Sequence, residues 1–145
     1  MRASRRPPTT RGRDRHVVAI VLEPDTLALE VAIALRIFGR RIPSVADRSG
    51  DDPDSPYEVL LLGEQPRLRL GLGDGFAEGT GIDFGPLSPL SAASESDTVI
   101  VPGVEVPTRL RSDSLLHALR VAGQRGARLA SFGSGAFALA QAGLL

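Results

Sequence analysis

The sequence contains no cysteine and no lysine, and its only histidines are His16 and His117. The absence of cysteine excludes disulfides, thiolate metal ligands and a cysteine nucleophile, and two histidines are too few for a multi-histidine metal site. We therefore expect neither a metal nor another cofactor. All 17 basic residues are arginines, which with 16 glycines and 11 prolines indicates a GC-rich coding sequence more than selection for guanidinium chemistry.

The sequence also lacks a long apolar run. No stretch approaches the roughly 18 consecutive apolar residues that a membrane-spanning helix needs. The arginines near the N-terminus are followed by no apolar stretch before His16, so the chain does not begin like a secretory signal. These two absences predict a cytoplasmic protein with no membrane partner.

Charge is balanced overall but unevenly distributed. Residues 1–15 hold six arginines and one aspartate, whereas the rest of the chain has a surplus of acidic residues. We predict a disordered arginine-rich tail over 1–15. It is either an arm that binds nucleic acid or an acidic surface, or an N-terminal segment that the fold does not hold in place. The remainder, 16–145, is predicted to be one domain. Because it has no basic face, we do not expect it to bind DNA by itself.

Apolar runs alternate with helical patterns along this domain. The predicted strands are four uninterrupted apolar runs: His16–Leu22, Tyr57–Leu62, Asp97–Val101 and Ala127–Ser131. The predicted helices have apolar residues at helical spacing: Leu27–Phe38, Leu110–Gly123 and Ala136–Ala142. This order predicts an α/β fold, a three-layer, doubly wound, mostly parallel sheet of the flavodoxin-like kind. Ligands bind such sheets beyond the carboxyl ends of the strands.

Two local patterns refine this prediction. Arg67–Leu70 alternates polar and apolar residues and then reaches the turn Gly73-Asp74-Gly75, which is typical of a short hairpin. Asp25 or Thr26 is placed to cap the first helix, and Ser112 or Asp113 lies near the start of the second.

The segment S-F-G-S-G, residues 131–135, has the pattern of a nucleophile elbow, a sharp turn between a strand and a helix. Its central residue is Gly133, which has no side chain that could act as a nucleophile. Backbone N–H groups at such a turn can still bind a small anion or polar ligand. Ser134 would need a base, and His117 is the only candidate within the domain. We instead expect Ser134 to cap the closing helix and His117 to lie on a helix surface.

Three segments together resemble the class I glutamine-amidotransferase-like superfamily in its PfpI branch, and most closely the N-terminal domain of GlxA-type, AraC-family transcriptional regulators. The first is His16–Gly39, with its acidic residue, apolar stretch and Phe-Gly pair. The second is Ser96–Gly103, with an aspartate, an apolar strand and a Pro-Gly turn. The third is Arg128–Leu145, with Gly-Ala-Phe and a final Ala-Gly-Leu-Leu.

The resemblance implies an amidotransferase-like fold with an acidic residue, here Glu30, beside the position of a cysteine. That cysteine position is Gly133 in this chain, and the family's second turn glycine is replaced by Val104. The family domain continues past the elbow helix with a further strand and helix, and its helix-turn-helix DNA-binding domain follows. We therefore expect this chain to be a partial domain, incomplete at the C-terminus, marginally stable or self-associating.

These observations predict a non-catalytic, ligand-sensing domain of an AraC-type regulator, present without its DNA-binding half. An unidentified small molecule would bind at the carboxyl edge of the sheet, and DNA would be contacted only through the absent domain. The candidate ligand-binding residues are Glu30, Pro102, Gly103, Gly133, Ser134 and Gly135. Two alternatives stay open: a PfpI-class amidase, hydrolase or glyoxalase-like enzyme, and an inert remnant of a broken gene.

Overall fold

The computed structural model describes residues 15–39 and 55–145. The predicted tail, apart from Arg15, lies outside the described residues. The strands are β1 (His16–Val21), β2 (Tyr57–Leu62), β3 (Leu68–Gly71), β4 (Gly81–Phe84), β5 (Thr98–Val101) and β6 (Arg128–Ser131). The α-helices are α1 (Ala28–Phe38), α2 (Asp113–Gln124) and α3 (Ala136–Gln141), and 3₁₀ turns cover Leu90–Glu95 and Gly133–Gly135.

The main sheet has four strands, all parallel, in the order β2-β1-β5-β6. In the register, Val18 of β1 lies opposite both Val59 of β2 and Thr98 of β5, while Ile100 of β5 lies opposite Ala130 of β6. Strand β1 lies inside the sheet, and from Val17 onward it is buried on both faces. An uninterrupted β-branched run is what such a position requires. The chain is therefore α/β, as the sequence predicts, and compatible with a flavodoxin-like three-layer fold.

Each face of the sheet carries its own apolar core. On one face the strand residues Val99 and Val101 pack with Leu119 of α2 and Leu139 of α3. On the other face Ile20 and Ile100 pack with α1 and with the β3–β4 hairpin, through residues such as Val31 and Leu70. The fold therefore has three layers: helices α2 and α3 on one side, the parallel sheet in the middle, and helix α1 with the β3–β4 hairpin on the other side.

The predicted hairpin is present. Strands β3 and β4 pair antiparallel as a separate two-stranded sheet, with Leu68 opposite Phe84 and Leu70 opposite Ile82. Leu68, Leu70 and Phe84 are buried, and the intervening arginine, Arg69, is exposed. The alternating pattern around β3 therefore reflects one buried and one exposed face.

Two predictions about burial and capping are wrong. The apolar runs of β2 and β6 predict buried strands, but only Leu62 of β2 is buried, and Arg128 and Ala130 of β6 are exposed, because both are edge strands. Helix α1 is capped by neither Asp25 nor Thr26: its N-cap is Leu27, which makes no side-chain cap bond. The hydroxyl of Thr26 instead accepts a hydrogen bond of 2.8 Å from the amide of Glu23, which closes the turn before the helix.

The second helix begins where its sequence predicts. Ser112 is the N-cap of α2, and its hydroxyl accepts a hydrogen bond of 3.2 Å from the amide of Leu115. Within the described residues, no helix combines the length and the apolar character needed to cross a membrane.

Candidate functional site

The turn between β6 and α3 has the geometry of a strand-to-helix elbow. Gly133 lies at its centre with φ of +44°, in the left-handed region that favours glycine. Gly135 is the point of closest packing, since a Cβ there would lie 2.1 Å from the carbonyl oxygen of Val101 and 2.7 Å from that of Pro102. Only a residue without a side chain lets the turn pack this closely over the end of β5. The turn therefore depends on both glycines for backbone reasons.

Helix α1 brings Glu30 to the same edge of the sheet. The amide of Gly103, in the Pro-Gly turn after β5, donates a short hydrogen bond to Oε2 of Glu30. Gly103 is needed for this contact, because a Cβ there would lie 2.7 Å from Oε2 and 3.0 Å from Oε1 of Glu30. The carboxylate is therefore held by a backbone N–H group.

The other oxygen of Glu30 faces Gly133. A Cβ built on Gly133 would lie 3.6 Å from Oε1 of Glu30, an ordinary van der Waals contact, and would meet no other neighbour within 4 Å. No hydrogen bond to Oε1 is made by the described residues, and Gly133 itself is exposed. An acceptor oxygen therefore points at the space where other residues would carry a side chain.

Two backbone amides of the elbow have no hydrogen-bond partner among the described residues. Among the described residues, the amides of Gly133 and Ser134 have no backbone partner, and a three-residue 3₁₀ turn is too short to contain one. The next amide, that of Gly135, is already committed to the carbonyl of Phe132 at 2.8 Å. One free carboxylate oxygen and two free N–H groups thus lie around Gly133, a set that can bind a small ligand with both a donor and an acceptor.

Ser134 does not cap the closing helix, contrary to the expectation from its position. Helix α3 has no side-chain cap bond. The hydroxyl of Ser134 accepts from the amide of Val104 at 2.9 Å and donates to the carbonyl of Val104 at 3.0 Å. It joins the elbow to the Pro-Gly turn, and its proton is already committed. His117 is exposed on α2, as expected, and makes no hydrogen bond to Ser134.

A cluster of four charged side chains anchors the loops around the site. Arg109 donates to Asp25 and lies 3.5 Å from an oxygen of Glu23, while Arg111 lies 3.4 Å from the other oxygen of Glu23. The Arg111 side chain is completely buried, and its contact with Glu23 is too long or misaligned to count as a hydrogen bond. The amide side chain of Gln141 also bonds to the backbone of both arginines. The cluster fixes the loop after β1 against the segment before α2.

Burial raises the pKa of Glu23 above its ordinary value of 4.5, and the nearby guanidinium groups of Arg111 and Arg109 oppose that shift. Desolvation therefore outweighs the attraction of two cations at this position.

A second concave region lies at the opposite edge of the sheet. A cavity of about 310 Å³ is lined by His16, Ser96, Asp97, Arg125, Gly126, Ala127 and Arg128, at the amino ends of β1, β5 and β6. Two of its polar side chains serve the fold: Asp97 accepts a bond of 2.8 Å from the amide of Val17, and His16 bonds Thr98 at 2.8 Å. This cavity is remote from Glu30 in the topology of the sheet.

All six predicted site residues meet at the carboxyl edge. Glu30, Gly103, Gly133 and Ser134 are in contact around one small space, while Pro102 and Gly135 pack the turn behind it. Sequence reasoning missed the bond partner of Ser134 and the charged cluster. A signal for the cluster was present, because two acids follow β1 and two arginines follow β5 on adjacent parallel strands. No group of three or more metal-ligating side chains occurs within 15–39 and 55–145.

No protein-family model matches the chain, and no curated protein matches it either. The resemblance to PfpI-type and GlxA-type domains therefore stays a prediction from the residues.

Proposed function

We propose that this chain is a non-catalytic, ligand-sensing domain of an AraC-type transcriptional regulator, located in the cytoplasm, with DNA contacted by a separate domain. The regulator assignment rests on the sequence resemblance alone. The ligand-sensing part rests mainly on one observation: Glu30 is held by the amide of Gly103 and aimed at the vacant side-chain position of Gly133.

The free groups around Gly133 define the ligand that fits. Oε1 of Glu30 accepts a hydrogen bond, and the amides of Gly133 and Ser134 donate. The complementary molecule carries a donor and an acceptor a few ångströms apart, as in a carboxamide, a hydroxy acid or a related small metabolite. Binding in the intact regulator would act by favouring one of two domain arrangements, in proportion to the ligand's difference in affinity for them.

Catalysis is the weaker proposal for this site. The elbow has no nucleophile at Gly133, and the hydroxyl of Ser134 is bonded on both sides to Val104 instead of to a base. A nucleophilic serine requires an adjacent base within hydrogen-bond reach. A turnover activity of the unmodified chain that Ser134→Ala abolishes would reverse this ranking.

The sensing proposal is tested by calorimetric titration with three small probes: acetamide, acetate and methylammonium. We expect acetamide, which carries both a donor and an acceptor, to bind more tightly than either of the others. Glu30→Gln keeps an acceptor oxygen for the amide of Gly103 but turns the group that faces Gly133 into a donor. It should therefore weaken acetamide binding about tenfold, because one hydrogen bond to a charged group is lost. The matched control is Glu58→Gln, a change on the exposed side of β2, which should leave binding unchanged. Equal binding of all three probes, or no binding by the folded chain, would contradict the proposal.

A further inference from the structure

The β3–β4 hairpin lies at the carboxyl edge of the sheet. At its base, the amide of Gly63, which follows β2, donates to the carbonyl of Ser88 at 3.0 Å. The two strands are joined by residues 72–80, which we call the hairpin tip. Every residue of the tip from Asp74 onward is exposed. The hairpin is thus anchored at its base and open to solvent at its tip.

The hairpin tip adjoins the candidate site through Leu27. A Cβ on Gly73 would lie 3.5 Å from Cδ2 of Leu27, so the tip lies beside the start of α1. The amide of Leu27 donates to the carbonyl of Gly103 at 2.9 Å, and its carbonyl accepts from the amide of Glu30 at 3.1 Å. Leu27 therefore joins the hairpin tip to the two residues whose contact holds the Glu30 carboxylate.

Phe76 is the large exposed apolar side chain of the hairpin tip. It is 57% exposed and takes part in neither apolar core of the described residues. Gly73 and Gly79, on either side of it, have φ of +92° and +80°, conformations that glycine adopts without strain. Phe76 follows Gly73 by three residues, and because each residue spans at most about 3.6 Å, it lies within about 11 Å of that glycine. Phe76 is therefore within reach of the segment that holds Glu30.

The candidate site offers polar groups that are open to water. Gly133 is exposed, so water competes for Oε1 of Glu30 and for the free amides of the elbow. A hydrogen bond that forms in competition with water contributes little to binding. Small-molecule sites bury most of their ligand against apolar and aromatic side chains, with a few polar groups for orientation. An aromatic side chain from the adjoining hairpin tip would provide such a surface.

We propose that Phe76 closes over the ligand held at Glu30 and Gly133 and packs against its apolar part. The site would then select carboxamides or hydroxy acids that carry an apolar substituent over the bare polar group. Closure moves the tip about its glycines, while Leu68 and Leu70 of the hairpin stay buried in the core. This inference rests on the proposed ligand-sensing function and adds the chemical class of the rest of the ligand.

Calorimetric titration of the whole chain with acetamide and butyramide tests the role of Phe76. The two probes share a carboxamide, and butyramide adds two methylene groups, each contributing up to about fourfold in affinity when buried. We expect the wild type to prefer butyramide about tenfold and Phe76→Ala to reduce this preference to about twofold. The matched control is Ile82→Ala, the loss of another exposed apolar side chain on the same hairpin, which should keep the preference. Circular dichroism verifies that each variant is folded.

Fluorescence reports the movement itself. The chain has no tryptophan, so Phe76→Trp and Ile82→Trp each carry a single fluorophore. With butyramide, the emission of Phe76→Trp should shift to shorter wavelength and saturate with the affinity that calorimetry measures, whereas that of Ile82→Trp should not respond. Equal affinity of the wild type for the two amides, or a preference that Phe76→Ala retains, would overturn the role of Phe76 and leave the ligand site intact. Failure of both amides to bind the folded chain would instead overturn the ligand site, and this inference with it.

Discussion

The two edges of the parallel sheet differ in how their polar groups are used. At the amino edge there is a cavity of about 310 Å³ with two arginines in its lining, but Asp97 and His16 are bonded within the sheet. At the carboxyl edge, a Cβ on the exposed Gly133 would meet only Oε1 of Glu30 within 4 Å. Yet the carboxylate oxygen and the two amides that surround it have no partner among the described residues.

Unpaired hydrogen-bonding groups, and not cavity volume, therefore distinguish the candidate site at the carboxyl edge. Buried and half-buried polar groups in folded proteins are nearly always paired. The unpaired Oε1 of half-buried Glu30 and the unpaired amide of half-buried Ser134 are therefore informative, whereas the exposed arginines at the amino-edge cavity are solvated. Matched substitutions at the two edges should therefore have different effects on stability and binding.

The largest effect is expected from the elbow's packing glycine. In Gly135→Ala the new Cβ would lie 2.1 Å from a backbone oxygen of β5, so the turn must open, at about 3 kcal/mol or more, the upper range for overpacking. The amino-edge counterpart is Gly126→Ala, where φ is +88° and no atom lies within 4 Å of the Cβ. There the conformational cost alone is about 1–2 kcal/mol. Urea unfolding measures both, and equal losses would contradict the tight packing at the carboxyl edge.

A smaller effect, on binding more than on stability, is expected for Gly103→Ala. Its Cβ would displace the Glu30 carboxylate, a flexible group that can move aside, so acetamide binding should fall at least tenfold while the free energy of unfolding falls by about 1 kcal/mol. At the amino edge, Arg125→Gln should leave acetamide binding unchanged. Loss of binding in Arg125→Gln would move the site to the other edge of the sheet.

A thiol placed at the elbow reports directly on the space beside Glu30. Gly133→Cys puts its Cβ 3.6 Å from Oε1 of Glu30, and the left-handed backbone costs about 1–2 kcal/mol. Because a nearby carboxylate disfavours the thiolate, adding Glu30→Gln should shift the alkylation of this thiol to lower pH. The amino-edge control is Gly126→Cys, whose alkylation should not respond to Glu30→Gln. A thiol at Gly133→Cys that is unreactive, or indifferent to Glu30, would show that the two positions do not form one site.

The smallest expected effect is a pH dependence at the charged cluster. Burial raises the pKa of Glu23 in the folded chain above 4.5, so the folded state binds the Glu23 proton more readily than the unfolded state does. Its stabilising contribution is complete below pH 4.5 and is lost as the pH rises through the folded pKa. The free energy of unfolding of the wild type, minus that of Glu23→Gln, should therefore fall with rising pH. A difference that rises with pH would mean that Arg111 and Arg109 outweigh desolvation.

Much of the fold was predictable because its strands are locally unambiguous. The β-branched run of β1 and the alternation in β3 each specify a strand and the faces it buries, and both are present. The burial of β6 was not predictable, because a strand's position at a sheet edge depends on topology. Its apolar run is the same whether or not another element covers it.

The sequence predicts which backbone turns form the candidate site, but not every side-chain contact within it. Glycines at the elbow and in the Pro-Gly turn predict, from the sequence alone, that the backbone comes close to other groups there. Gly103, Gly133 and Gly135 do meet at one edge of the sheet. The partner of Ser134 was not predictable, since its hydroxyl could cap a helix or cross to another loop. Only the distance from Val104, fixed by the pairing of β5 with β6, decides between these.

The central claim is tested most directly by following the backbone amides in ¹H–¹⁵N NMR spectra during titration with acetamide. We expect the amide signals of Gly133 and Ser134 to move downfield and saturate together, that of Gly103 to follow through Glu30, and that of Gly126 at the amino edge to stay still. Shifts confined to Gly126 and its neighbours, or no shift at the elbow in the folded chain, would contradict a ligand site at Glu30 and Gly133.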